Sequence, residues 1–378
     1  MAVVATVAAA ALWFARNRFA ESHADVPKVE VEASSPEPLS RDERKVSGEE
    51  RQAMLARAQV WQTPTVPIAR ATFTGGPPIK TLSCKFKLTE LAGTSPKFDC
   101  IAEDDEQIRI KYGKGPEIPA EVAATRLLRA LGFGADDVTL VEKLRCFGCP
   151  EEPFSTMKVV EVTKSEPVYR TVIDYNDFED FEWVALERKF NARPIETEKL
   201  KGWAFFELDS VDAAKGGAPR AHIDALRLVA VLMSHWDNKS ENQRLVCLSR
   251  QWRKDSPCAQ PFLMLQDVGA TFGPTKVDLE AWEKATMWAD RAGCKISMRD
   301  FPYNGATFGD AQVTEAGRRF AGELLSELSD RQITELFSGA RFNQKRGIFS
   351  ASKPVADWVR AFKVKVQAIT DGPACPSA

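Results

Sequence analysis

The chain has 378 residues, of which 44% are hydrophobic and 28% charged, and a formal net charge of −2. That length and apolar content suit one large domain or two, with enough hydrophobic sequence to bury a sizeable core. The balanced charge argues against a general nucleic-acid or anionic-membrane binder, so no nucleic-acid partner is expected.

In chain order, residues 2–15 (AVVATVAAAALWFA) are uninterrupted apolar sequence, followed by Arg16 and Arg18. The run is shorter than the roughly 20 residues that span a bilayer. Ser22 and Ala24 suit the small positions before a signal cleavage site. Residues 1–24 are read as a signal peptide or an N-terminal membrane anchor. The domain is then exported or membrane-anchored and extracytoplasmic, with membrane attachment through residues 2–15. Residues 25–81 read as a linker with a short helix. Positions 25–46 mix Pro, Ser, Glu and Arg without periodicity. Ser47 then precedes Glu50 in capping-box spacing, ahead of a helix-like face of Met54, Leu55, Ala58 and Trp61. This region is expected to strap onto the outside of the domain.

The folded core is expected to begin near Leu82. Ser83 to Leu91 alternates Cys84, Phe86 and Leu88 with Lys85, Lys87 and Thr89, the period of a half-buried strand. The loop Gly93-Thr94-Ser95-Pro96-Lys97 leads into a second strand, Phe98–Ala102, and a third runs from Gln107 to Gly113 through Lys111. A tight hairpin turn accounts for the loop, although its exposed amides, with Ser95 and Lys97, would also cradle phosphates. Ala120 to Gly132 reads as a helix stopped by Gly132, with Glu121 in its first turn, where dipole compensation would account for it. Val138–Leu144 and Thr156–Val162 read as strands, as does Trp183–Phe190. A helical region follows from Gly202 to Met233.

The informative stretch is 228–273. An apolar helix-like run ends at His235-Trp236-Asp237, and a polar turn containing Lys239 closes on Asn242. Two short apolar strands follow, the second ending on Gln266-Asp267-Val268-Gly269. Asp237, Asn242 and Asp267 are thus presented from the ends of strands. A polar turn that caps its own backbone is one account of the first two. The other is phosphoryl transfer, which needs a carboxylate to accept a hydroxyl proton, and an amide oxygen plus a second carboxylate to hold Mg²⁺. Beyond this stretch the sequence reads as helices at Glu315–Leu328, Asp330–Phe337 (N-cap Ser329) and Pro354–Ile369.

Eight cysteines behind an export-like segment point to disulfides. Cys146 and Cys149 form a lone C-x-x-C. Zinc there would need other cysteines as ligands, because the chain has only three histidines, so a disulfide is favoured. Cys247 and Cys258 flank the short charged loop between the two strands and are expected to pair. Cys294 is the competing partner for Cys258.

His235-Trp236-Asp237-Asn238-Lys239-Ser240-Glu241-Asn242 resembles the protein-kinase catalytic loop H-R-D-L-x-x-x-N, and Asp267-Val268-Gly269 is similar to D-F-G with Val for Phe. The loop Gly93–Lys97 resembles the short G-x-x-P-K loop of HipA-type kinases, and there is no A-P-E motif. The resemblance is to the atypical kinase-like superfamily that holds HipA-type, secretory-pathway and phosphoinositide kinases. It implies an α/β (α+β) two-lobed fold: an antiparallel-sheet N-lobe over 82–190, a helical C-lobe over 191–370 and a tail over 371–378. It further implies an ATP- and Mg²⁺-dependent phosphotransferase acting on a hydroxyl of a protein, lipid, sugar or antibiotic. Asp237 would be the base, with His235 and Lys239 in its loop and His235 supporting the loop backbone. Asn242 and Asp267 would hold the metal. Lys111, held by Glu121, would meet the phosphates with Gly93, Ser95 and Lys97, and the strand around Glu187 would meet adenine. The alternatives on the same scaffold are an inactive envelope binding protein and a nucleotidyl transferase.

Overall fold

In a computed structural model of the chain, the alternating sequence after residue 78 closes on itself as a five-stranded barrel. The structure describes residues 45–73, 78–249, 252, 256–274, 276–299, 301, 305–344 and 353–376. The expected export segment at 1–24 and residues 25–44 and 74–77 of the linker lie outside the described residues.

The barrel strands are β1 (Ile79–Lys87), β2 (Lys97–Ala102), β3 (Gln107–Lys111), β4 (Asp137–Phe147) and β5 (Phe178–Arg188), in the order β1-β2-β3-β5-β4. Period-two alternation explains the barrel, because successive side chains point to opposite faces of a strand. Phe86, Phe98, Cys100, Ile108, Ile110, Val184 and Leu186 fill the interior. The intervening residues of β2, β3 and β5 face outward in cross-strand rows: Lys97, Lys111 and Ala185 form one row, and Asp99, Arg109 and Glu187 the next. The expected sheet was antiparallel throughout. The ladder is instead closed by a parallel seam between β1 and β4, from Ile79 against Val141 to Lys85 against Phe147. No local pattern announces a pairing between segments so far apart in sequence.

Three other expectations change. The stretch Thr156–Val162, read as a strand from its β-branched residues, lies in helix α3 (Pro153–Thr163), where Pro153 occupies the first turn and Met157 and Val160 face inward. The capped segment at 48–61 does not lie outside the domain. Its helix α1 (Gly48–Ala56) has the Ser47/Glu50 capping box, yet Met54, Leu55, Ala58 and Val60 sit in the main core. The helix α2 (Glu117–Ala130) begins three residues before Ala120, so Glu121 stands one turn in from its start.

After α4 (Glu166–Arg170), the short strand β6 (Arg193–Pro194) joins β7 (Gln243–Cys247) and β8 (Pro261–Leu265) in an antiparallel sheet. Between β6 and β7 runs α5 (Arg220–Leu232), with Leu226, Leu228, Val229 and Leu232 buried. The remaining elements are α6 (Leu279–Lys284), the strand pair β9 (Lys295–Ile296) and β10 (Ala311–Gln312), α7 (Glu315–Ser326), α8 (Asp330–Gly339) and α9 (Val355–Thr370). Ser329 caps α8 in a capping box with Gln332. Trp282, Phe337, Phe342, Trp358 and Phe362 pack together under α6, α8 and α9.

All eight cysteines are paired, as Cys84–Cys100, Cys146–Cys149, Cys247–Cys258 and Cys294–Cys375. Cys247–Cys258 is the expected pair across the β7–β8 loop; the rival pairing of Cys258 with Cys294 is absent, since Cys294 ties down the C-terminal segment instead. Four disulfides are chemistry that an oxidising, extracytoplasmic environment sustains. Among the described residues no helix is long and apolar enough to cross a membrane.

Candidate active site

Lys111 ends β3 next to Ile110, which points into the barrel, so the Lys111 side chain emerges on the outer face. There it meets α2. Its ammonium nitrogen lies 2.7 Å from Glu121, 3.7 Å from Glu117 and 3.5 Å from Asp267. Glu117 and Glu121 are four residues apart on one helix face, which is why both reach the same cation. Burial would lower the Lys111 pKa, but Glu121, then Asp267, Glu187 and Glu117, raise it well above the lysine value. The other partner is shifted as well. Fully buried Glu121 is pushed up to about 8 by burial, against the pull of Lys111.

The 235–242 loop is built from the end of α5. His235 donates its backbone N–H to the Ala230 carbonyl at 2.9 Å, closing the helix through Ser234 in a left-handed conformation. Asn238 then staples the loop. Its amide oxygen accepts from the backbone of Thr307 (2.6 Å) and Phe308 (2.8 Å), and its amide nitrogen donates to the His235 carbonyl. Asn242 donates its side-chain amide to the Asp237 carbonyl at 2.5 Å, which commits its nitrogen and leaves its oxygen for a ligand. The Asn242 backbone carbonyl accepts from the N–H groups of Gln266 (2.9 Å) and Asp267 (3.2 Å). The catalytic-loop candidate and the D-x-G candidate are therefore joined by hydrogen bonds through one residue. Lys239 pairs with Asp237 at 3.0 Å. Against burial, which pushes it up, the Lys111 ammonium holds Asp267 below the usual carboxylate range.

His235 behaves differently from its expected role. Its ring is fully buried, neither nitrogen has a hydrogen-bond partner among the described residues, and burial depresses its pKa to about 4. It does not hold the loop backbone through its imidazole; Asn238, a motif residue that the sequence reading did not single out, does that.

The loop after β1 also reaches the site. Gly93 has a φ of +76°, a left-handed conformation that favours glycine, and a Cβ there would come within 3.3 Å of the Lys97 ammonium. Lys97, the first residue of β2, is 9% exposed, and burial and then Lys111 lower its pKa. Ser95 donates to Glu117, which also accepts from Lys276 at 2.5 Å. Glu117 and Lys276 were missed in the sequence. The signal for Glu117 was its spacing of four from Glu121; Lys276 had none, because the chain after D-x-G follows no motif.

Glu187 is brought to the outer face of the barrel, but its buried side chain is bonded to Lys189 and stands opposite Arg109. Burial pushes its carboxyl up, yet Lys189 and then Lys111 hold it far below the carboxylate range. Lys189 also bonds the buried Asp136 at 3.1 Å.

The oxygens of Asp267 and Asn242 are hard donors, the chemistry that Mg²⁺ takes. Among the described residues no group of three or more His, Cys, Asp or Glu could hold a metal. Two protein oxygens fit a Mg²⁺ ion that completes its shell with water and phosphate oxygens.

No protein-family description matches the sequence, and no curated protein matches it. Among solved structures the chain is similar to the Helicobacter pylori proinflammatory kinase CtkA, with 8% identity over 77% of this chain and 96% of that one and a TM-score of 0.42. A likeness at that score is too distant to bear on the chemistry.

Proposed function

We propose that the chain is an exported or membrane-anchored, Mg²⁺- and ATP-dependent phosphotransferase of atypical kinase-like fold, acting on a hydroxyl acceptor. In this reading the barrel with α2 serves as one lobe and the α5–α9 region as the other. The observation that carries it is the joined arrangement of Lys111, Glu121 and Asp267 with Asp237 and Asn242: Lys111 lies 2.7 Å from Glu121 and 3.5 Å from Asp267, and Asn242 links the other two elements.

The roles follow from the groups. Lys111 keeps its charge at neutral pH and offers it to phosphate oxygens. Asp267 and Asn242 would hold Mg²⁺, which when bound would neutralise phosphate charge. Asp237 is partly exposed beside them and accepts the acceptor hydroxyl proton. Lys239, 3.0 Å away, orients that carboxylate.

A second reading has one observation in its favour. Glu117 binds Ser95 and Lys276 and approaches Lys111, so a carboxylate stands among the cations that phosphates would use. A binding protein that never turns over would tolerate that. Incubation with ATP labelled on the γ-phosphate or on the α-phosphate decides between the readings. Mg²⁺-dependent release or transfer of γ-label alone is expected. Transfer of α-label would make the protein a nucleotidyl transferase, and binding without any turnover would make it a binding protein.

A further inference from the structure

The outer face of the barrel is built for phosphates at one end and built against a base at the other. The row that contains Lys97 and Lys111 faces Asp267. The adjacent row is Asp99, Arg109 and Glu187, in register across β2, β3 and β5. Its groups are already engaged. Asp99, 2% exposed, accepts from Arg109 at 2.8 and 3.1 Å, from Gln107 at 3.1 Å and from Thr89 at 3.0 Å. Glu187 is held by Lys189, which also bonds Asp136.

A purine pocket needs apolar walls and a few free polar groups aimed at the base edge. This row supplies neither. Both Asp99 oxygens and Glu187 Oε1 are already hydrogen-bonded, and covering the row with a base would strip water from the part-exposed Arg109 guanidinium. The Arg109 guanidinium, fixed on Asp99, offers a flat face on which any base could stack, and such stacking is sequence-tolerant because every base has a π-face. The phosphate end shows the opposite design, with Lys97 and Lys111 almost fully buried and Lys276 close by on Glu117.

Resting on the phosphotransferase reading, we infer that the site takes Mg²⁺-bound polyphosphate chains and does not read the base, so that tripolyphosphate and any nucleoside triphosphate are equivalent ligands. Carboxylates crowd the same site, so binding requires the metal.

The test is calorimetric titration of the full, disulfide-intact chain in Mg²⁺ with tripolyphosphate, ATP, GTP and CTP, and a competition experiment with adenosine. Dissociation constants within about threefold of one another are expected, since a base-reading hydrogen-bond pair would separate them by about tenfold or more. Adenosine should not displace ATP, and Lys97→Ala should weaken all four ligands by the same factor while melting as a folded protein. A preference for ATP of about tenfold over GTP, CTP and tripolyphosphate would overturn the inference and leave the phosphotransferase reading standing. Displacement of ATP by adenosine would do the same. If none of the four binds, both fall.

Discussion

A buried imidazole without hydrogen-bond partners is costly to protonate, and among the described residues neither nitrogen of His235, at the head of the Asp237 loop, has one. Its folded pKa is about 4, depressed by burial, while the unfolded chain titrates near the ordinary histidine value of 6.5. Between these values the unfolded state binds the proton and the folded state does not. The His235 contribution to stability is therefore fully present above pH 6.5 and is lost as pH falls toward 4, by about 3 kcal/mol in total. Urea unfolding at a series of pH values measures this. His235→Leu should flatten the slope across that window, and a variant that keeps the parent slope would remove His235 as its cause. At this scale the sequence was informative about which residues meet. Lys111, Asn242 and Asp267 stood out at or just past the ends of elements, Asp237 in the turn after a helix and Glu121 near the start of one, where chemistry-bearing side chains are displayed. Glu117 and Asn238 did not, because their importance comes from partners at Ser95, Lys276, Thr307 and Phe308 that no spacing rule brings together.

Elements were legible where one face is buried and the other solvated. Strands β1 to β3 alternate cleanly because their inner residues fill the barrel and their outer ones carry charge. Helix α3 was misread because its valines suggested a strand; Val159 and Val162 are in fact exposed, so burial did not select them. The parallel β1–β4 seam was invisible for a different reason, since it is a tertiary pairing with no local signature. The loop before α5 shows how elements hold the site. Gly202 has a φ of +69°, and a Cβ there would meet the backbone oxygens of Ser240 at 1.9 Å and Gln243 at 2.3 Å. Ser240 lies in the turn that ends on Asn242, and Gln243 begins β7 directly after it. Gly202→Ala should cost about 2 kcal/mol or more, because rigid backbone must move, and should lower turnover more than it lowers the affinity for Mg·ATP. Chemical denaturation and steady-state kinetics measure the two effects; a variant with the parent's stability and activity would show that the turn is not braced from below.

For the whole molecule, covalent links tie together regions that are far apart in sequence. Cys294–Cys375 closes a separation of 81 residues and fixes the C-terminal segment, while Cys247–Cys258 closes only 11 beside the β8 strand that leads to Asp267. In the chain-entropy account the longer link contributes about 4.5 kcal/mol and the shorter about 3 kcal/mol. Removing the Cys294–Cys375 pair by double substitution to alanine should therefore lower the urea midpoint more than removing Cys247–Cys258. The reverse order would show that native-state packing outweighs loop closure here. The sequence could argue for Cys247–Cys258 because both cysteines flank one hairpin. It could not pair Cys375, because tertiary contacts of α7 and of Arg291 bring the C-terminal segment to Cys294.

The central claim is that Asp267 and Asn242 hold the metal while Asp237 does the proton chemistry beside Lys111. Calorimetric titration of Mg·ATP into the parent, Asp267→Ala and Asp237→Asn separates those roles in one series, with thermal melts as the check on folding. The account predicts that Asp267→Ala loses Mg²⁺-dependent binding, while Asp237→Asn binds as the parent does and transfers no phosphate. A folded Asp267→Ala protein that binds Mg·ATP with the parent's affinity would contradict it.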